Sequence, residues 1–352
     1  MPDWTASMQQ TFEYYTVDPV SWKDVKRLDN VTKSTIIRDL EVETLGSATI
    51  DVTETIGECY VRIYLITIQN GLKEKFPLGT FLVQTPSSSY NGKIREVTMD
   101  AYTPLLELKE NKPPLGYSIL KNQNIMENVY MLTREHLRAP VVKTTNTTKL
   151  TFDFVAETDD TWLSFNSDLA ANVKYSFGLD DMGHVLFTPK QDTASLQPVW
   201  TYNDNNSSIL YPDLSMDHDM YGIPNVVEIL YSNGAGHYYS RAVNDDPNSP
   251  TSTVNRGREI VHREVDPKFS GYATQKQIDE YATQTLRNLS TLEYSITYTP
   301  GYCPVRLGDC VRLNYEKAGI NNVKAKVIRQ SISCRPGCPV SETAVFTSKL
   351  WG

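Results

Sequence analysis

The sequence lacks the segments by which proteins cross or enter membranes. None of its 352 residues belongs to an uninterrupted apolar run of the about 18 residues that a membrane-spanning helix needs. The N-terminal stretch MPDWTASMQQ has neither the basic nor the apolar region of a secretion signal. We therefore expect a protein that folds in the cytosol of the cell that makes it.

Sequence motifs of the common enzyme classes are also absent. The chain has no phosphate-binding P-loop, dinucleotide-binding glycine fingerprint, G-x-S-x-G elbow or H-E-x-x-H metal motif. Its five histidines are scattered, so they do not indicate a cluster of bases or ligands. We expect no catalytic residue, no cofactor and no metal. The 42 aspartates and glutamates leave an acid–base hydrolase without a recognisable motif open as an alternative.

Positive charge is in short supply. The formal net charge of −8 argues against a protein that reads nucleic acid, because phosphate contacts need clustered Lys and Arg side chains. An acidic wall is nevertheless useful to a conduit through which DNA slides without sticking. The composition therefore excludes tight DNA binding and permits DNA passage.

Cysteine is rare except near the C-terminus, where four of the five residues lie: Cys303, Cys310, Cys334 and Cys338. Their spacings are C-x6-C and C-x3-C, which differ from the paired C-x2-C knuckles of tetrahedral zinc sites. Small buried cysteines are the simpler interpretation, and zinc binding is left open.

The first hundred residues have the pattern of β-strands. Apolar and acidic residues alternate in DLEVETL and ATIDVTETI, as they do on a sheet with one wet face. CYVRIYLITI is almost entirely β-forming and is followed by the hairpin signal QNG. These strands and tight turns predict a small β-barrel or sandwich over residues 1–106.

The periodicity then changes to that of helices. NQNIMENVYMLTREHLRAP and DTWLSFNSDLAANVKYSFG each place apolar residues near helical spacing, with Pro140 stopping the first helix and Gly178 as C-cap of the second. A hairpin with a strand at residues 184–188 follows. We expect an α/β middle module over residues 107–198.

The last part of the chain, residues 199–352, is predicted to be a second β-rich unit. PNVVEILYSN and REIVHREVD read as strands, TQKQIDEYATQTLRNLS as a helix, and four further strands follow it. A polar stretch over residues 234–257 is predicted to be a long loop. Leu78-Gly79 and Leu307-Gly308 both precede short β-type runs, which suggests one β-unit used twice.

In its order of elements the chain resembles the baseplate or tail-tip hub proteins of tailed bacteriophages and contractile injection systems, a unit also found at the N-terminus of tail-associated lysins. Five loose patterns that appear in order carry the resemblance: VSWKDVKRLDNVTKSTIIRDLEVET, FPLGTFLVQTPSSSYNGKIREVTMDAYTPLLELKE, DTWLSFNSDLAANVKYSFGLDDMGHVLFTP, MYGIPNVVEIL and PVRLGDCVRLNYEKAGINNVKAKVIRQSIS. They span almost the whole chain.

The resemblance implies a β-rich α+β fold with two similar, tail-tube-like β-barrels and an α/β module between them. It also implies a homotrimer that forms a pseudo-sixfold ring in the virion tail, joining the hexameric tail tube or a distal tail protein above to a spike, fibre or lysin below. Such a structural protein would act in tail assembly and genome ejection, with DNA only passing through. We expect it in the virion and, during assembly, in the host cytoplasm.

Two details follow with alternatives. If the acids of the first strands face the channel, then Asp39, Glu41, Glu43 and Asp51 line it and repel DNA, although the same alternation also permits them to lie outside. The alternative function is a carbohydrate- or receptor-binding β-sandwich of a tail tip, with Trp200, Tyr202, Tyr238 and Tyr239 as candidate groove residues.

Overall fold

The N-terminal β module is built from the first strands of the chain. The computed structural model describes residues 2–90, 95–191, 193–205, 208–218, 220–233, 236–267 and 273–350. The strands of this module are β1 (Gln9–Val17), β2 (Asp24–Leu28), β3 (Val31–Asp39), β4 (Gly46–Val52), β5 (Tyr60–Gln69), β6 (Leu72–Tyr90) and β7 (Arg95–Tyr102). Neighbouring strands are antiparallel and follow the order β3-β4-β7-β6-β5-β1-β2.

The alternation in DLEVETL predicted a strand, and that prediction is wrong. Strand β3 ends at Asp39, and residues 40–45 form the turn into β4. The Leu45 N–H donates to the Val42 carbonyl at 2.8 Å, which closes this turn, and Gly46 has a φ of +137°. An alternation that covers only seven residues is too short to separate a strand from a turn.

The middle of the chain carries helices and short strands. They are α1 (Leu106–Glu110), β8 (Ser118–Ile119), α2 (Ile125–Glu135), β9 (Phe154–Val155), α3 (Trp162–Ala171), β10 (Tyr175–Leu179) and β11 (Val185–Pro189). Thr161 and Ser164 form a reciprocal capping box at the start of α3. Gly178 lies inside β10, so the prediction that it caps α3 is wrong. The helices pack around a core that includes Val129, Phe165 and Leu169.

The C-terminal β module consists of β12 (Pro198–Asn203), β13 (Leu210–His218), β17 (Thr291–Pro300), β18 (Cys310–Tyr315), β19 (Ile320–Ser333) and β20 (Val340–Lys349). The last four are the strands that the sequence predicted. Their order in the sheet is β12-β18-β19-β20-β17-β13.

The two β modules share one strand order. If β1, β3, β4, β5, β6 and β7 correspond to β12, β13, β17, β18, β19 and β20 in turn, the order β1-β5-β6-β7-β4-β3 becomes the order of the C-terminal module. The match has two departures, because β12 joins β18 in parallel whereas β1 joins β5 antiparallel, and β2 has no counterpart among the described strands.

The Leu-Gly pairs that suggested duplication do not occupy corresponding places. Leu78 and Gly79 lie inside β6, whereas Leu307 and Gly308 precede β18, the counterpart of β5. The repeated unit therefore exists in strand order, and the dipeptide that pointed to it is a coincidence.

A separate three-stranded sheet is inserted between β13 and β17. It contains β14 (Val226–Asn233), β15 (Gly236–Val243) and β16 (Val261–Val265) in the order β15-β14-β16, with α4 (Thr253–Arg256) and α5 (Gln275–Leu289). Ile278, Ala282 and Leu286 of α5 pack on Val227 and Ile229 of β14. The segment predicted as a loop over 234–257 instead holds β15 and α4, with residues 234 and 235 outside the described part.

The chain divides into two compact units. The first contains residues 1–213 and 298–344, and the second contains residues 214–297 and 345–352. With 48% strand and 15% helix, the fold is the β-rich α+β class that the sequence predicted. Among the described residues, no helix is both long and apolar enough to span a bilayer.

Candidate functional site: the joint within the first unit

Strands β3 and β19 join the two β modules into one sheet. Arg329 to Ser333 of β19 pair antiparallel with Asp39 to Thr35 of β3. The seam continues beyond the strands, because the Leu40 N–H donates to the Ile328 carbonyl at 2.9 Å and the Cys334 N–H donates to the Ser34 carbonyl at 3.0 Å. Main-chain hydrogen bonds therefore carry this joint, which is why no motif in the sequence announces it.

Asp39, one of the four acids predicted to line a channel, lies at this seam. Its side chain is 7% exposed, and its Oδ2 is 3.4 Å from Nε of Arg329. Its Oδ1 accepts a hydrogen bond from the Glu41 N–H at 2.9 Å, which fixes the start of the β3–β4 turn. A carboxylate in this position ties the seam to the turn.

The hairpin of β10 and β11 has a rigid tip at residues 180–183. Asp180 Oδ1 accepts from the Met182 N–H at 2.9 Å and from the His184 N–H at 2.8 Å, and its Oδ2 lies 2.7 Å from His184 Nδ1. Gly183 has a φ of +79°, and a Cβ there would lie 2.8 Å from Cβ of Thr80. The tip thus needs glycine for its backbone and for its close approach to β6.

The backbone carbonyl of Met182 fastens this tip to the N-terminal β module. It accepts from Trp22 Nε1 at 2.8 Å, from Thr80 Oγ1 at 2.9 Å and from the Arg62 guanidinium at 3.2 Å. Arg62 is only 1% exposed, and its charge is offset by Asp24 Oδ1 at 2.8 Å. A buried charged donor makes such a hydrogen bond stronger than a neutral one.

Asp181 connects the same tip to both β modules. Its carboxylate contacts the guanidinium of Arg38, on β3, at 3.0 Å and that of Arg306, just before β18, at 2.5 Å. Arg38 also donates to the Leu78 carbonyl at 2.7 Å and to Gln330 Oε1 at 3.1 Å. One short hairpin therefore bridges the sheet on both sides of the β3–β19 seam.

The network ends in a buried carboxyl group. Gln330 Nε2 donates to Glu342 Oε1 at 2.7 Å, and the Tyr202 hydroxyl donates to Glu342 Oε2 at 3.2 Å. Glu342 is 1% exposed. Burial raises the pKa of this carboxyl, and the hydrogen bonds and the more distant Arg38 offset that effect only in part.

A cavity of about 510 Å³ lies beside the joint. Its walls are mainly apolar, with leucines and Phe81 and Phe177, and the Arg38–Asp181–Arg306 cluster lies on one side. Within this cluster Asp181 contacts both arginines, so the three side chains act as structural contacts of the joint.

The other three predicted channel acids lie apart from the seam. Glu41 and Glu43 are exposed on the β3–β4 turn, and Glu43 Oε2 is 2.9 Å from Lys109 Nζ. Asp51, on β4, is half-buried and accepts from Thr98 Oγ1 at 2.7 Å. Whether any of the four lines a channel stays a prediction.

The C-terminal cysteines are all free thiols, and Cys303, Cys310, Cys334 and Cys338 are buried. Burial raises the pKa of Cys334 to about 12 and that of Cys303 to about 12, so both are protonated. Within the described residues, no group of three or more Cys, His, Asp and Glu side chains is arranged to hold a metal ion.

The aromatic residues of the alternative function are partly committed to cores. Tyr202 is 2% exposed and its hydroxyl lies 2.9 Å from Cys303 Sγ. Tyr238 packs against the core of the second unit. Of the other two candidates, Trp200 is partly buried, and Tyr239, about half exposed, has the most open ring of the four, as a sugar would need.

Sequence reasoning missed the residues that make the joint: Arg62, Asp181, Glu342 and Gln330. One signal was present, because Arg62 is the only charged residue in the apolar run YVRIYLITI, and a charge in such a run needs a buried partner. The identity of that partner depends on the fold and is not visible in the sequence.

Comparisons with solved structures find tail proteins and a VgrG complex. The tail protein of Neisseria meningitidis MC58 has a TM-score of 0.62 at 13% identity, with 97% of this chain and 98% of that chain covered. The 43 kDa tail protein of prophage MuSo2 from Shewanella oneidensis gives 0.62 at 13% identity, with 96% and 98% covered. The Francisella PdpA–VgrG complex gives 0.54 at 8% identity, with 99% and 54% covered.

No family model matches the chain, and no curated protein matches it in sequence. The structural matches extend over nearly the full length of both phage tail proteins. At such low identity they show the fold, and the resemblance drawn from the sequence is confirmed at that level.

Proposed function

We propose that this protein is a structural hub of a phage tail or a phage-like particle. Three copies form a ring with approximate sixfold symmetry, which joins the hexameric tail tube or a distal tail protein to a threefold spike, fibre or lysin. The similarity to tail proteins supports a tail role. The threefold state, the partners and the lumen are part of the proposal.

The observation that carries the proposal is the strand order shared by the two β modules. A chain with two similar modules presents two similar docking surfaces, so three chains present six of them. A sixfold tube and a threefold spike can then meet on one component without a mismatch of symmetry.

The rigid joint of the first unit supports the same role. The Asp181 contacts with Arg38 and Arg306 and the three donors to the Met182 carbonyl hold both β modules and the middle hairpin in one arrangement. A connector that carries mechanical load between tube and spike needs such a fixed frame. No catalytic activity is assigned, since the paired charges already act as structural contacts.

The channel of this ring would let DNA pass, and its lining by Asp39, Glu41, Glu43 and Asp51 belongs to the proposal. The exposed pair Glu41 and Glu43 is the place to test it, because Asp39 is buried and Asp51 is half-buried in the fold. We place the protein in the virion tail, after assembly in the host cytoplasm.

The test is to count and locate the protein in purified particles. We expect three copies per tail by quantitative mass spectrometry against the tube protein, and a C-terminal tag seen at the tail tip by electron microscopy. In solution we expect a trimer, or a monomer that trimerises with a tube or spike partner. A tag on the capsid, absence from particles, or six copies per tail would contradict the proposal.

The alternative of a carbohydrate- or receptor-binding tail-tip protein has less support. Tyr202 is buried and Tyr238 packs on a core, so the aromatic set does not form one open groove. A glycan array with the purified protein checks this alternative, and specific binding that Tyr239→Ala abolishes would favour it over the hub.

A further inference from the structure

The seam between the two β modules uses only part of one strand edge. Along this edge of β19, residues 320–326 pair with β18, and residues 329–333 then pair with β3. The opposite edge of β19 faces its hairpin partner β20. The first half of β19 thus pairs with a strand of its own module, and the second half pairs with a strand of the other module.

The shared strand order assigns a counterpart to each side of this seam. Strand β13 corresponds to β3, and β6 corresponds to β19. Cys310 pairs with Lys326 at the start of β18, and Tyr60 pairs with Leu82 at the start of β5. Counting from these pairs, residues 329–333 of β19 correspond to residues 85–89 of β6.

Both counterparts have a free edge at the corresponding place. Strand β5 accompanies β6 only as far as Leu82, and the edge of residues 86–90 on that side meets no other strand among the described residues. Residues 86–90 are exposed, Tyr90 by 71%. Strand β13 is the end of its sheet, with Tyr211 45% and Met216 41% exposed.

We propose that β13 of one copy pairs antiparallel with residues 85–89 of β6 in the next copy. This pairing between copies would repeat the seam that β3 and β19 form within a single chain. The inference rests on the proposed trimeric ring and names the surfaces that close it. Because the two paired edges are different, the contact between copies is head-to-tail. The same contact made by each of three copies closes into a ring.

The composition of the two edges fits strand addition. Ser87, Ser88 and Ser89 are small, so a second backbone can approach them closely. Strand β13, LYPDLSMDH, contains no Lys, the side chain that most often protects an exposed edge from pairing, and its charged residues are Asp213 and Asp217. Its proline, Pro212, precedes the residues that would pair, so it removes none of their N–H donors.

The internal seam also fixes the register. Ile37 of β3 lies opposite Ser331 of β19. Strands β3 and β13 both have 9 residues, and aligning their ends makes Met216 the counterpart of Ile37. Ser331 corresponds to Ser87, so Met216 of one copy should lie opposite Ser87 of the next.

Cross-linking tests this register in assembled particles. The double variant Ser87→Cys/Met216→Cys, treated with a short bismaleimide, should yield a covalent trimer on a denaturing gel. The controls are each single variant and Ser118→Cys/Met216→Cys, whose Ser118 is equally exposed but lies in the middle module. The native protein gives the background from Cys59, which is partly exposed.

A second measurement blocks the edge. Met216→Lys should abolish the trimer, observed by light scattering of the assembled or partner-induced protein, and should leave the circular dichroism of the monomer unchanged. Particles that hold three copies but show no cross-link above the controls would overturn this inference and leave the hub intact. Particles without the protein would overturn the hub, and with it the ring.

Discussion

Arg62 in the N-terminal β module and Glu342 in the C-terminal one are both 1% exposed, but their charges are treated differently. Arg62 lies 2.8 Å from Asp24 and donates also to Thr80 Oγ1. Glu342 accepts hydrogen bonds from the neutral side chains of Gln330 and Tyr202. The N-terminal module therefore places a buried arginine against a partly exposed carboxylate, whereas the C-terminal module buries a carboxyl whose pKa is raised.

The networks around Arg62 and Glu342 also differ in how they contact the middle hairpin. Arg62 reaches the Met182 carbonyl, so its charge strengthens the attachment of the middle hairpin. Glu342 reaches the same hairpin only through Gln330, Arg38 and Asp181. We infer that the N-terminal contact depends on a permanent charge, whereas the C-terminal network depends on hydrogen bonds and is sensitive to protonation.

Removal of the Arg62 side chain should have the largest effect. Arg62→Ala takes this donor from the Trp22 and Met182 carbonyls and from the partly exposed Asp24 carboxylate, and it leaves a cavity where the guanidinium was buried, so we expect a loss of about 3 kcal/mol in the free energy of unfolding. Urea denaturation measures it. Arg27→Ala is the matched control, since among the described residues the exposed Arg27 pairs with Glu13 and Asp29, and its loss should cost at most about 1 kcal/mol. Equal losses in the two variants would refute the role given to Arg62.

Substitution of two glycines distinguishes the cost of a clash at the hairpin tip from the cost of backbone strain. Gly183 and Gly116 have similar φ values, +79° and +77°. A Cβ at Gly183 would lie 2.8 Å from Thr80, whereas a Cβ at Gly116 would have none of the described atoms within 4 Å. Each change to Ala should cost about 1–2 kcal/mol for the left-handed backbone. Gly183→Ala should cost about 1–3 kcal/mol more for the clash. Thermal unfolding of both variants measures the difference, and no difference would mean that the tip does not pack tightly on β6.

The sequence predicted those parts of the fold in which local pattern and burial agree. Strands β17 to β20 and helix α5 were found because apolar periodicity and flanking turns point to the same element. Strand β15 was missed because its face is exposed, so the polar stretch looked like a loop. The turn at residues 40–45 was read as a strand, because alternation over a few residues does not distinguish a turn from an edge.

The joint was beyond the reach of the sequence for a different reason. Asp181 pairs with Arg38 and Arg306, which are 143 and about 125 positions away in the chain, and nothing local marks these three as partners. The β3–β19 seam is made by main-chain groups that every residue carries. The resemblance to tail proteins indicated the duplication, although the Leu-Gly dipeptide that also suggested it was misleading.

The pH dependence of the free energy of unfolding tests whether the C-terminal network is sensitive to the protonation of Glu342. Because its pKa is raised in the folded state, its stabilising contribution is complete below the pKa of the unfolded chain, about 4.3, and is lost as the pH rises through the folded pKa. A difference of one pH unit between the folded and unfolded pKa values corresponds to about 1.4 kcal/mol. Glu342→Gln cannot ionise, so relative to this variant the native protein should lose stability as the pH rises above about 4.3, the pKa of Glu in the unfolded chain.

Urea denaturation of both proteins across that range gives the result. Glu135→Gln, on the exposed face of α2, is the control, and its difference from the native protein should not follow the same trend. A native protein that gains stability relative to Glu342→Gln as the pH rises would show that the carboxylate is the favoured form in the core.

The exposed acids of the β3–β4 turn should matter least for stability and most for DNA passage. Glu41→Lys/Glu43→Lys removes only the exposed contact of Glu43 with Lys109, so we expect a change of about 1 kcal/mol or less in the free energy of unfolding. If the turn faces the channel, four added units of positive charge per chain should hold DNA back, and particles should deliver their genomes less often. Glu127→Lys/Glu135→Lys makes the same change of charge on α2 and should leave delivery unchanged. Equal delivery by all three kinds of particle would place Glu41 and Glu43 outside the channel.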